Sequence, residues 1–283
     1  MPPRSAPTVR QQRLGAELRR LRERAGLSST EAGALLGADQ ARISNIEAGR
    51  IGISPARLRT LACNYDCADE ALVNALCMMA SERGRHWWEE YRGILPTALL
   101  DLAEFEHHAV RLRTAQTSHV PGLLQTVDHA RVVFQQGVPP LPPHEVEHRL
   151  SLRLKRQAVF HGNEPTLYTA VVHEAALHMQ FGGEAVARAQ LEHIIEMSER
   201  DNITVLVIPF RAGAFPGAGQ SFGFAEGAVP QLDTVQLDAS HGSVLLYAEA
   251  QLEKYRKLLA RLEAIASGPE SSRDLIHKVA RKL

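Results

Sequence analysis

The sequence has few cysteines and lacks any apolar run long enough to cross a membrane. Its three cysteines are an odd number and do not make a disulfide framework. No segment approaches the roughly 20 apolar residues that a bilayer-spanning helix needs. The first ten residues, MPPRSAPTVR, have no apolar signal-peptide core. These absences predict a cytoplasmic protein with no membrane contact, buried thiols, and a short disordered leader over residues 1–9.

The chain also has no net charge, but its charges are unevenly distributed. Residues 1–68 hold eleven arginines, no lysine and six acidic residues, a net charge of +5. The remaining residues hold 21 basic and 26 acidic side chains, a net charge of −5. A basic segment joined to an acidic one is typical of a nucleic-acid-binding module attached to a domain of another kind.

The length of 283 residues is enough for about two domains. Apolar spacing, capping residues and glycine stops predict five short helices within residues 10–83, an all-α domain. Residues 84–96, with two tryptophans and a tyrosine among polar residues, are interpreted as a linker or docking segment. Residues 97–283 are predicted to form an α+β domain. Its expected helices span 97–116, 121–136, 143–160, 184–200, 249–266 and 271–282 (capped by Ser271 or Ser272), and its expected strands span 166–172, 203–208, 221–226, 233–238 and 243–249.

One stretch of the basic domain, ADQARISNIEAGR (residues 38–50), predicts a very short helix with an uncharged polar face. Ile43 and Ile46 lie three residues apart and share one face, which we expect to be buried. Together with the preceding short helix and the break at Gly37, this stretch has the proportions of a helix-turn-helix. A helix that reads the major groove needs such small and hydrogen-bonding side chains. The alternative is an ordinary helix pair of an all-α domain.

The segment LGAELRRLRERAGLSSTEAGALLGADQARISNIEAGR resembles the N-terminal domain of Xre-type transcriptional regulators, which are related to phage repressors. The resemblance covers about 55 residues and implies a five-helix, phage-repressor-like fold that binds a double-stranded DNA operator. Ser29 stands where the family usually has a longer glutamine at the start of the second helix. The other positions that the resemblance places toward DNA are Gln40, Ala41, Arg42 and Asn45.

The same resemblance assigns a structural role to Glu47, which would pair with Arg22 of the first helix rather than contact DNA. Ala41 can offer only an apolar contact, such as one to a thymine methyl group. Arg13 and Arg50 are expected to contact phosphates because of their charge.

The rest of the chain resembles the C-terminal domain of an actinobacterial group of Xre-type regulators, the WhiJ-like proteins. The segments that carry this resemblance are WWEEYRGILP, VPGLLQT, VVHEAAL, NITVLVIPFRAGAFPG and GSVLLYAEA. Members of the group are often encoded beside a small partner protein and are sometimes described as antitoxin-like. The resemblance therefore implies a partner-binding or sensing domain, although His173 stands where the group commonly has aspartate.

The segment HEAALH (residues 173–178) approaches the zinc motif HExxH, but its histidines are five residues apart. On a helix this spacing places them about 140° apart, so they would not bind one zinc ion from the same face. We expect a strand end that turns into a short helix, with ordinary surface histidines.

The sequence thus predicts a DNA-binding transcriptional regulator that forms a homodimer, with no catalytic residue, metal or cofactor. Two alternatives stay open. One is an antitoxin-like protein that mainly binds a small protein encoded nearby, and the other is a DNA-targeted metallopeptidase.

Overall fold

A computed structural model describes residues 7–82, 84, 86–217, 219–239 and 242–283. The described residues up to Trp87 form one compact unit, and those from Trp88 form a second. Residues 1–6 of the predicted leader lie outside the described ranges, whereas Thr8 caps the first helix and Val9 begins it. Within these ranges, no helix combines the length and apolar character that crossing a bilayer requires.

The first unit consists of five short helices, each with a side-chain cap. They are α1 (Val9–Arg24), α2 (Ser29–Leu36), α3 (Gln40–Glu47), α4 (Pro55–Asn64) and α5 (Glu70–Ser81). The side chains of Thr8, Ser28, Asp39, Ser54 and Asp69 each accept a hydrogen bond from a backbone N–H of the first turn. These bonds satisfy donors that have no partner within the helix, so each helix begins where its cap stands.

The second unit is built on a six-stranded mixed sheet. Its strands are β1 (Arg111–Gln116), β2 (Leu167–His173), β3 (Ile203–Ile208), β4 (Phe222–Glu226), β5 (Thr234–Ala239) and β6 (Gly242–Leu246), in the order β3-β2-β1-β4-β5-β6. The pairs β1–β2 and β2–β3 are parallel, and the pairs from β1 through β4 and β5 to β6 are antiparallel. An all-α domain followed by an α+β domain confirms the predicted fold class.

Helices cover both faces of this sheet. They are α6 (Thr97–His107), α7 (Val127–Gln135), α8 (Pro143–Arg156), α9 (Glu174–Leu177), α10 (Glu184–Met197), α11 (Glu249–Ile265) and α12 (Pro269–Ala280). Ile203, Val205 and Val207 join the core that contains residues of α10 and α12. Ile208 joins the opposite core, which contains residues of α11. Strand β3 is thus buried on both faces, which explains its continuous apolar sequence.

Two predictions about this domain are wrong. Residues 97–116 were expected to form one helix, but α6 ends at His107 and the central strand β1 follows. The polar sequence RLRTAQ does not resemble that of a central strand. Its Arg113 is accommodated in the sheet because it forms ion pairs with Glu226 and Glu263. The last helix begins at Pro269, after Gly268, and not at a serine cap.

Ser272 has a different role from the expected one. Its buried hydroxyl accepts a hydrogen bond from the backbone N–H of Val207 (2.9 Å) and donates one to the carbonyl of Ser267 (2.9 Å). The hydroxyl therefore ties the start of α12 to the edge strand β3. The thiols also depart from expectation in part: Cys77 is buried, Cys67 is intermediate and Cys63 is exposed.

The segment predicted to be a linker, residues 84–96, contains a short 3-10 helix, Trp87–Tyr91. Trp88 is buried, and its ring contacts those of His107 and His108 edge-on. The hydroxyl of Tyr91 lies 2.7 Å from that of Ser151 on α8. Both aromatic residues are thus packed against helices of the second unit.

Candidate nucleic-acid interface

The turn between α2 and α3 is fixed by its backbone. Helix α2 ends at Leu36. The next residue, Gly37, has a left-handed conformation (φ 65°), and the N–H of Ala38 donates to the carbonyl of Gly33. A Cβ at Gly33 would lie 2.9 Å from the carbonyl oxygen of Ala38, so only glycine permits this close approach. The carboxylate of Asp39 then accepts from the N–H of Arg42 (2.7 Å) and starts α3. These contacts set the direction in which α3 leaves the turn.

Helix α3 has one buried and one exposed face. Ile43 and Ile46 are 1% and 4% exposed and anchor the helix in the core of the first unit. Gln40, Ala41 and Arg42 are exposed, and Asn45 is half-buried. The Gln40 side-chain amide donates to the Ser44 hydroxyl (3.1 Å). The outward face therefore offers amide, guanidinium and methyl groups, the types of side chain that hydrogen-bond to base edges or contact thymine methyl groups.

A groove of about 540 Å³ runs beside this exposed face. It is lined by Gly37, Ala38, Asp39, Ala41, Arg42, Asn45, Ile51 and Arg57. Arg57 is exposed on the first turn of α4 and was missed by the sequence analysis. The sequence does contain a signal for Arg57, which lies three residues after the helix cap Ser54. An arginine at the start of a helix beside a recognition helix is suitable for phosphate contact.

The remaining predicted DNA contacts fall into two groups. Arg50 is exposed just after the end of α3, and Ser29 is the half-buried first residue of α2. Arg13 does not fit, because it is only 6% exposed and its guanidinium forms an ion pair with Glu17 (3.1 Å). A phosphate would have to displace this buried pair, so the burial of Arg13 disfavours the predicted phosphate contact.

Glu47 and Arg22 form a bidentate ion pair. Arg22 Nε and Nη2 donate to the two carboxylate oxygens of Glu47 at 2.6 and 2.9 Å, and Nη1 donates to the carbonyl of Leu27 (2.7 Å). Hydrogen bonding to Glu47 raises the pKa of Arg22 above its usual value. The pair joins the end of α3 to α1 and the loop that follows it, so neither charge is directed toward a ligand.

Close backbone contact strengthens the same junction. A Cβ at Gly15 of α1 would lie 2.3 Å from the carbonyl oxygen of Glu47. Gly49, with φ 70°, lies against the backbone of Gln11. The absence of side chains at both positions lets α1 support the end of α3.

The HEAALH segment has the expected form of a strand end followed by a short helix. His173 ends β2, and its Nδ1 accepts from the N–H of Ala175 (3.2 Å). Glu174 accepts from the N–H of Phe210 (2.7 Å), and His178 follows α9 with its Nε2 3.7 Å from the Glu174 carboxylate. The ring of His173 and the carboxylate of Glu174 thus have structural roles.

Two family profiles match the chain. A profile described as a helix-turn-helix domain (HTH_31) matches residues 13–76, and one described as a domain of unknown function (DUF5753) matches residues 99–278. No curated protein and no solved structure matches it. A helix-turn-helix domain is typical of DNA-binding regulators and agrees with the geometry of α2 and α3. Because the second match covers well over half of the chain, the protein belongs to the DUF5753 family.

Proposed function

We propose that the protein is a cytoplasmic, sequence-specific transcriptional regulator of the Xre type that places α3 in the major groove of an operator. The observation that supports this most strongly is the division of α3 into an anchored apolar face and an exposed face of polar and small side chains. Bulky apolar residues on such a face would be exposed to solvent when DNA is absent. Arginine, glutamine and asparagine remain solvated until they meet base edges.

In this proposal the groove beside α3 accepts one edge of the DNA backbone. Arg57 and Arg50, both exposed, are placed for phosphate contact, while Arg42 and Asn45 are placed for base edges. The carboxylate of Asp39 also lines the groove, but it already accepts the N–H of Arg42, so it acts as a helix cap. The net charge of +5 over residues 1–68 adds a general attraction for the phosphate backbone.

We further propose that the C-terminal domain resembles that of WhiJ-like proteins in binding a partner protein or ligand, and that it supports a homodimer. One recognition helix covers few base pairs, and two half-sites combine their binding energies. The protein acts by binding rather than as an enzyme in this proposal, which the structural use of His173 and Glu174 supports.

The proposal is tested by selecting binding sites from a pool of random DNA duplexes with the full-length protein at moderate salt. We expect an enriched sequence with two related half-sites whose centres are about one helical turn, or a multiple of it, apart. A pool that stays random after repeated rounds would contradict sequence-specific binding. Enrichment of a single half-site would contradict the homodimer.

A further inference from the structure

Arg153, on α8 of the C-terminal domain, is a largely enclosed cation without an acidic partner. Its guanidinium lies over the ring of Phe134, 4.7 Å from the centroid, and its Nη1 donates to the side-chain oxygen of Gln125. Nε is buried without a hydrogen bond, and Nη2 makes none among the described residues. No described carboxylate comes within 4.0 Å of it. Buried charged groups are normally paired, so this arrangement needs an explanation.

A neighbouring arginine, Arg156, has the carboxylate partner that Arg153 lacks within the described part of the chain. Arg156, one turn further along α8, donates through Nε and Nη2 to both carboxylate oxygens of Glu106, each at 2.6 Å. Arg22 in the first unit binds Glu47 through the same two nitrogens. In Arg153 this Nε/Nη2 edge, which holds two parallel N–H groups, has no acceptor. It has the geometry that binds a carboxylate or phosphate in a bidentate manner.

His129 on α7 adds a second unsatisfied group to the same region. Its ring is only 2% exposed, and neither ring nitrogen has a hydrogen-bond partner. The pKa of His129 is lowered to about 4, mainly by burial and also by the nearby charges of Arg153 and His119. Its ring lies 5.2 Å from that of Phe181. A buried imidazole without a partner is rare in folded proteins and often marks a missing water or ligand.

The backbone around these groups is held rigidly by buried side-chain amides. Gln125 donates to the carbonyl of Val120 (2.8 Å), which fixes its oxygen toward Arg153. Gln190 donates to the carbonyl of Leu124 (2.7 Å) and accepts the N–H of Thr126 (2.8 Å). A Cβ at Gly122 would lie 3.2 Å from Arg153 Nη1, so glycine leaves room for the guanidinium. The region is therefore organised before any ligand arrives.

We propose that Arg153, over the ring of Phe134, and His129, beside the ring of Phe181, form a binding site for the oxyanion group of a small molecule, a carboxylate or a phosphate. The Nε/Nη2 edge of Arg153 binds two of its oxygens, and the N–H of the neutral His129 imidazole donates to the bound anion. Nη2, unlike Nε, is not among the buried atoms, so an anion approaches this edge of Arg153 from the Nη2 side. The aromatic rings suit an apolar part of the same ligand. This inference rests on the proposed sensing role of the C-terminal domain and names its ligand class.

The test observes the Arg153 Nε–H signal directly in ¹H–¹⁵N spectra of the full-length protein. The probes are succinate for a carboxylate and inorganic phosphate for a phosphate, each titrated at constant ionic strength against chloride. We expect at least one of them to shift the Arg153 signal in a saturable manner, and the probe that does so identifies the anion class. The signal is assigned by its disappearance from the spectrum of Arg153→Gln. If that variant does not fold, Arg153→Lys, which keeps the charge but lacks the two parallel N–H groups, serves the same purpose.

Arg149 on the same helix is the matched control, because its Nε and Nη2 are already bound to Glu145. Its signal should not show saturation with either probe. If neither anion gives a saturable shift at Arg153, or if Arg149 responds in the same way, the site does not exist. DNA binding is measured on the same samples. If the protein does not bind operator DNA but Arg153 still responds to the anion in a saturable manner, only the proposed DNA function is contradicted.

Discussion

At the scale of single residues, burial divides the arginines of the basic domain into two groups. Arg13 and Arg22 are buried in ion pairs, whereas Arg42 and Arg57 are exposed in the groove beside α3 and Arg50 is exposed just after α3. The guanidinium group is the same in both cases, but only an exposed one can exchange water for phosphate or a base edge. The sequence does not show this division directly, so it did not reveal that Arg13 is buried in an ion pair or that Arg57 is exposed in the groove.

Glu47→Ala should lower the stability of the basic domain. Arg22 would remain buried without its bidentate partner, and breaking such a pair costs about 3–5 kcal/mol. Thermal unfolding followed by circular dichroism measures the effect. The control is Arg19→Ala, which removes an exposed pair with Glu23 and should change little. Unchanged unfolding of Glu47→Ala together with abolished DNA binding would mean that Glu47 contacts DNA instead.

His129 should make the stability of the C-terminal domain dependent on pH. Its pKa in the folded protein, about 4, lies below the ordinary value of 6.5 because of burial, so the folded state prefers the neutral ring. This contribution is fully present above pH 6.5 and is lost as the pH falls toward 4, at about 1.4 kcal/mol per pH unit.

Replacement of the ring tests this dependence. The difference in melting temperature between His129→Leu and wild type should change between pH 7.5 and pH 5, with the variant relatively more stable at the lower pH. If the difference in melting temperature between the two proteins stays the same from pH 7.5 to pH 5, the buried imidazole does not titrate as described.

At the scale of elements, α3 shows how a helix of eight residues is held in place. A helix this short is not stable alone, so its position depends on packing and caps. Ile43 and Ile46 provide the packing, Asp39 the cap, and the pair of Glu47 with Arg22 the connection to α1. The packing and the cap could be predicted from the sequence because they are local, whereas the pair of Glu47 with Arg22 was expected only from the resemblance to Xre-type regulators.

Gly15→Ala should destabilise the basic domain, even though alanine favours helices. Its Cβ would lie 2.3 Å from the carbonyl oxygen of Glu47, and such overpacking costs about 1–3 kcal/mol. Gly52→Ala is the matched control, since no atom lies within 4 Å of its Cβ position. Chemical denaturation of both variants measures the difference. Equal stabilities would mean that α1 and α3 are not in the close contact described here.

The elements that sequence patterns missed are those whose stability comes from distant partners. Strand β1 has two arginines in six residues and shows no clear apolar alternation. It forms a strand because β2 and β4 pair with it on either side and because Glu263 of α11 neutralises Arg113. The anion site has the same character, since Arg153, His129 and Gln125 come from different segments. No local pattern could have indicated either feature.

At the scale of the whole molecule, the charge division suits a basic DNA-reading unit attached to an acidic domain with a separate task. Because one recognition helix covers few base pairs, we expect the full-length protein to form a homodimer through regions other than the recognition helix. Light scattering on a sizing column should give twice the chain mass of 31.2 kDa. A single-chain mass at the concentrations used for DNA binding would rule out the homodimer and require one α3 to provide the whole specificity.

The exposed face of α3 is the central element of this account, and its test is the affinity of single-residue variants for the selected operator. Arg42→Ala and Asn45→Ala should each lose about 1–3 kcal/mol of binding free energy in moderate salt, with unchanged melting temperatures. Arg19→Ala, which removes an exposed arginine on α1, should bind almost like wild type. Fluorescence anisotropy with labelled operator DNA measures all four proteins together. If both α3 variants bind like wild type, α3 is not the recognition helix.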